Sequence, residues 1–202
     1  VKLAAQIISF VFHPLLMTSF LFSLLLIYYP IMFQPKRPNA ALLGILVLMT
    51  FILPALNFLF FRLSGSIRDL NLPNRADRLL PFALVSILYA LVTYMFYWKL
   101  PIPNMVELLI IITAMIWAGA IATYFYKVSV HCLAVWGLVG ILLPLIKAPG
   151  GEVLLMPTCA VMVVAGLVMS ARLYLNAHTP REVLAGSLMG ISLGFVGMIV
   201  LF

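Results

Sequence analysis

The sequence predicts an all-α fold: a polytopic integral membrane bundle of about six to seven transmembrane helices, with residues 1–202 forming one membrane-embedded domain. Three observations carry this. Of the 202 residues 65% are apolar and only 8% charged, and the mean hydropathy is +1.22. A soluble domain is about half apolar and about a quarter charged, so one core could not enclose this excess. The apolar residues also come in runs of the length, about 20 residues, that a helix needs to cross hydrocarbon. Finally, the charges sit at the ends of those runs, where headgroups or water meet them.

The runs fall at roughly residues 4–31, 40–62, 81–100, 104–126, 131–147, 153–174 and 182–202. The first is longer than one crossing requires and contains His13-Pro14. Proline gives no N–H to the helix ladder, so a kink or an interfacial start is expected there. That run follows Lys2 without a small-residue cleavage site after a short apolar core, and reads as an anchor rather than a cleaved leader. The second run leads into the one long polar stretch, RLSGSIRDLNLPNRADRLLP (62–81). Long loops of this kind tend to be functional or disordered. The third and fourth runs are divided only by the proline turn LPIPN (100–104), and KAPGGE (147–152) marks the turn before the sixth. The fifth run is short for a crossing. Between the sixth and seventh lies SARLYLNAHTPREVLAG (170–186), where Thr179 fits an N-cap, Pro180 the first helical position, and Glu182 the third residue of a capping box. No internal repeat is visible. Cys132 and Cys159 match no zinc spacing and read as small buried hydrophobes.

Seven crossings put the loop before the third run, the junction before the fifth and the loop before the seventh on the side of the N-terminus. Those places hold Arg68, Arg75 and Arg78; Lys127, Ser129 and His131; and Arg172, His178, Arg181 and Glu182. The other side carries Lys36, Arg37, Lys99, Lys147, Glu107 and Glu152, and no histidine. The net charge of +7 therefore speaks for phosphate ligands, lipid headgroups or topology signals, not for nucleic acid. Converging arginines suit an anion with several oxygens. Histidines among them suit phosphoryl transfer, one ring attacking phosphorus and another protonating the leaving group. With five acidic residues in the chain, no two-carboxylate metal site is expected. Each residue also has a plain reading: Glu182 as a cap only, Arg172 snorkelling, Arg75 and Arg78 as positive-inside signals, Lys127 as an anchor, Ser129 as an N-cap. His13, inside the first run, belongs to no motif and reads as a packed, hydrogen-bonded histidine.

Arg172, five residues, His178, three residues, Glu182 resembles the third motif of the type 2 phosphatidic acid phosphatase superfamily, the membrane branch related to vanadium haloperoxidases. That motif reads Ser-Arg, five residues, His, three residues, Asp; here Ala171 stands at the Ser position and Glu182 at the Asp. Ser129 and His131 in VSVH match the second motif, Pro-Ser-Gly-His, without its Pro and Gly. The first motif reads Lys, six residues, Arg-Pro. Arg68 followed six residues later by Arg75 fits with Ala76 in place of Pro, while another register uses Arg78 with Pro81. The resemblance runs from about residue 68 to 190 and marks a divergent member.

The resemblance implies roles. His178 would form a phosphohistidine, His131 would protonate the leaving group and Glu182 would orient His178. Arg172, Lys127, Ser129, Arg68 and one or both of Arg75 and Arg78 would bind phosphate. It implies neither metal nor organic cofactor, and a lipid phosphate or diphosphate as substrate. The expected function is thus a lipid phosphatase. The alternatives are a lipid phosphotransferase, or a transporter or binding protein that holds a lipid or anion without cleaving it; Ser129 lacks the elbow motif of a serine hydrolase. Small size and short loops point to a bacterial inner membrane. Eight Lys and Arg on the N-terminal side against four opposite would make the site cytoplasmic, whereas bacterial members of the family often work on the periplasmic face.

Overall fold

The first apolar run breaks where its proline requires. In the computed structural model, α1 (Lys2–Val11) and α2 (Pro14–Tyr28) meet at 62°. Pro14 takes the first helical position of α2 and His13 caps it, its Nδ1 accepting from the Leu15 N–H at 3.4 Å. The structure describes residues 1–33, 40–65, 76–99 and 102–202, with the side chains of 76–79 outside the description. Among the described residues the chain is helical and forms no strand. It is an all-α, polytopic membrane bundle.

The second run is α3 (Ala40–Val47), a π-helical turn (Leu48–Ile52) and α4 (Leu53–Leu63) in one crossing. Pro54 has no N–H for the Thr50 carbonyl. That carbonyl instead accepts the Tyr89 hydroxyl at 3.0 Å, and Thr18 Oγ1 lies 2.9 Å from the same hydroxyl. Hydrocarbon offers no partner to a loose polar group, so such pairs form between helices. The remaining runs are α5 (Ala76–Lys99), α6 (Pro103–Phe125), α7 (Val130–Leu145), α8 (Leu155–Tyr174) and α9 (Pro180–Leu201).

Five described segments have the length and apolarity to cross a bilayer, and the α1–α2 pair, bent by 62°, brings the number to six when it is counted as one broken span. The fifth expected crossing, α7, has 16 residues, about 24 Å of helix. It is short and mostly buried in the bundle, with Cys132, Val139, Ile141 and Leu142 closed off from solvent. Cys132 is buried as expected. Cys159 is exposed on the outer face of α8, a departure that the period of that helix explains. Both thiols are free.

The tightest packing joins α7 to α9. A Cβ at Gly186 would collide with the Ser129 carbonyl, one at Gly190 with the Leu133 carbonyl, and one at Gly140 with the Ile191 carbonyl. The contacts step forward together along both chains, so the helices run parallel with their N-termini at one end. Small residues suit a membrane interface, where backbone proximity supplies the attraction that water would otherwise supply. Gly190→Leu, whose Cβ would also lie 2.9 Å from the Gly137 nitrogen, should force the pair apart. We expect thermal unfolding in detergent to show a loss of about 1–3 kcal/mol. Gly166→Leu on α8, where nothing lies within 4 Å of the added carbon, should leave the midpoint unchanged.

Candidate active site

The turn from α8 to α9 sets the first group of side chains. Asn176 adopts a left-handed φ of 50°. The Ala177 N–H bonds the Arg172 carbonyl at 3.2 Å and the Asn176 N–H bonds the Leu173 carbonyl at 3.0 Å. This is a Schellman ending, and asparagine is one of the few non-glycine residues that tolerate the position. Arg172 thus lies in the last turn of α8, six residues before His178. Thr179 and Glu182 then form the reciprocal capping box that opens α9.

Glu182 does more than cap. Its Oε2 lies 2.8 Å from His178 Nδ1, accepts the Thr179 N–H at 3.3 Å, and stands 4.0 Å from Lys127 Nζ. A carboxylate facing one ring nitrogen puts the proton on that nitrogen. His178 therefore carries its proton on Nδ1 and its lone pair on Nε2. The ring is buried, with its side chain 3% exposed.

His131 enters from the first turn of α7. Its Nε2 lies 3.2 Å from the Ser9 carbonyl of α1. A carbonyl only accepts, so Nε2 holds a proton and Nδ1 is left for acid–base work. The His13 ring stands edge-on to His131, with centroids 5.3 Å apart at 84°. His13, His131, Arg172 and His178 all line one cavity of about 160 Å³. Among the described residues, the buried Nε of Arg172 has no hydrogen-bond partner. A buried donor without an acceptor costs about 1–3 kcal/mol, so an acceptor in the cavity, such as an anion oxygen, would be favoured at this guanidinium.

The other expected residues take different places. Ser129, expected on phosphate, does not line the cavity: its hydroxyl donates to Cys132 Sγ at 3.2 Å, and its N–H donates to the Glu182 carbonyl at 3.1 Å. Its part is to pin the start of α7 to α9. The Lys127 ammonium donates to the Ala177 carbonyl at 3.3 Å and lies beside Glu182, away from the cavity lining. Arg68 and Arg75 lie outside the described residues; Arg78 lies in α5, with its side chain outside the description. His13 is the residue that sequence reasoning set aside. Its signal was the His-Pro pair at a helix break, but only the fold brings it to His131. Among the described residues, no three His, Cys, Asp or Glu side chains group as a metal site would need.

No model of a known protein family, no curated protein and no solved structure matches the chain. The geometry therefore defines the class: a membrane-embedded helical bundle with a histidine–arginine pocket at one end of its central helices. Arg172→Leu should weaken the binding of inorganic phosphate by about tenfold or more, the usual loss for a charge-assisted contact. Calorimetric titration of phosphate into the detergent-purified protein measures it, and equal affinity in the variant would remove Arg172 from the anion site.

Proposed function

We propose that the protein is a metal-independent lipid phosphate or diphosphate phosphatase that works through a phosphohistidine. The observation that supports this most is the 2.8 Å contact between His178 Nδ1 and Glu182, made by a histidine that lines the same cavity as His131 and Arg172. The resemblance of Arg172, His178 and Glu182 to the third phosphatidic acid phosphatase motif points the same way.

The steps follow from the tautomers. Arg172 binds the phosphate oxygens, and the N-termini of α7 and α9 add their positive ends. The lone pair of His178 Nε2 attacks phosphorus as the bond to the lipid oxygen breaks. The ring becomes cationic, and Glu182 stabilises it through the Nδ1 proton. His131 delivers a proton from Nδ1 to the departing oxygen, giving the lipid alcohol; the negative charge of the bound phosphate helps to hold that proton on the ring beforehand. Water then attacks phosphorus, His131 takes its proton, the N–P bond breaks and inorganic phosphate leaves. A lipid alcohol in place of that water would make the protein a phosphotransferase, by the same intermediate. Short loops and small size speak for a bacterial inner membrane as the setting of this activity.

Phosphate release from a panel of lipid phosphates and diphosphates, with EDTA present, tests the reading. His178→Ala should lower release by about a thousandfold or more, and His131→Ala by about a hundredfold to ten-thousandfold. Release that requires a metal, or that survives His178→Ala, would overturn the mechanism. Glu182→Gln keeps an oxygen for the capping box but removes the charge beside the ring. It should cost about tenfold to a hundredfold in turnover with little change in the thermal midpoint, which separates its effect on His178 from its cap.

A further inference from the structure

The cavity does not end at the histidines. It continues between α2, α4, α5, α6 and α7, walled by Phe58, Phe82, Val85, Met115, Leu138 and Ile141. His131 and Ile141 both line it, ten residues apart on α7, so it follows that helix for about 15 Å. That is about half the hydrocarbon thickness of a bilayer. Its polar groups gather at the end where Arg172, His13, His131 and His178 stand. Deeper in, the polar lining residues are Thr18 and Tyr89, and their hydroxyls are spent on each other and on the Thr50 carbonyl.

Two features of this shape select a ligand. The first is capacity. A cavity of about 150 Å³ lined by Leu, Ile and Phe holds one benzene-sized group. At about 160 Å³ this one has room for the first few carbons of one hydrocarbon chain, and a second chain would have to share that same volume. A second apolar groove, between α2 and α8, adjoins the cavity at Met17 and Leu138 but is lined by none of His13, His131, Arg172 and His178, so it has no polar group of its own to hold a phosphate. The second feature is the absence, among the described lining residues, of any unspent donor beyond the polar end. Ester carbonyls and a glycerol backbone would be buried there without partners, at a cost that an unbroken hydrocarbon avoids.

We propose that the cavity seats the first carbons of a single hydrocarbon chain bonded directly to the phosphate held by Arg172, so that the substrate class is a single-chain alkyl or isoprenoid phosphate and not a diacylglycerol phosphate. The proposal rests on reading the polar end as a phosphate site. The chain runs from the surface toward the middle of the bilayer, in the direction a lipid tail already takes.

Alkylphosphonates test this without turnover, because their C–P bond is not cleaved. Butyl-, hexyl- and octylphosphonate would be titrated into the protein in nanodiscs, with empty nanodiscs as the blank. Each buried methylene should tighten binding up to about fourfold, so hexylphosphonate should bind about tenfold better than butylphosphonate. The phosphonate analogue of dihexanoylglycerol phosphate should bind at least tenfold more weakly than octylphosphonate. Ala134→Phe from α7 and, as a second variant, Ile116→Phe from α6 fill the cavity and should each compress the butyl-to-octyl ratio. Geranylphosphonate against octylphosphonate separates an isoprenoid from a linear chain. Equal affinity from butyl to octyl, or a two-chain analogue binding as well as octylphosphonate, would overturn the proposal. His178-dependent phosphate release beside such a flat series would sink the chain assignment alone, whereas a steep series without release would sink the phosphatase reading alone.

Discussion

The site depends on how closely α7 and α9 approach. Gly186 and Gly190 on α9 face the carbonyls of Ser129 and Leu133 with no side chain between. That proximity lets the Ser129 N–H reach the Glu182 carbonyl at 3.1 Å, which locks the first turns of both helices in register. His131 on one helix and His178 at the mouth of the other then open into one cavity, and both helix dipoles present their positive ends beside it. A displacement of about 1 Å between reacting groups can cost a hundredfold in rate. The glycines therefore govern the geometry of the cavity although none but Gly119 lines it.

A second constraint works through hydrogen bonds that leave each ring one role. Glu182 Oε2 serves the helix cap and the His178 ring with one atom, and Lys127 stands close enough to neutralise it. The Ser9 carbonyl settles which nitrogen of His131 is committed. The second constraint draws on α1 and the α1–α2 break through Ser9 and His13, so the N-terminal segment helps to build the cavity and is not merely an anchor. His13, at that break, caps α2 and braces His131 at once. In a bundle this apolar an unpaired polar atom is costly, and among the described residues the Arg172 Nε is one such atom on a side chain that lines the cavity.

Much of this was determined by the sequence alone, because it is local. Apolar runs of crossing length become helices whatever surrounds them, Pro14 breaks the first run, and Thr179 with Glu182 opens the last. The spacing of Arg172, His178 and Glu182 lies within one turn and its flanks, so it too can be read along the chain. What only the tertiary structure decided is which distant groups meet. Ser129 looks like a phosphate ligand by its neighbours, but in the fold its hydroxyl bonds Cys132 and its N–H bonds the Glu182 carbonyl. His13 lies more than a hundred residues from His131 and has no motif, so nothing local marks it. The cavity itself is walled by side chains from six helices, α2 and α4 to α8. Periodicity says that a helix will bury one face; it does not say against whom, since that choice is made by the shapes of surfaces far apart in the chain.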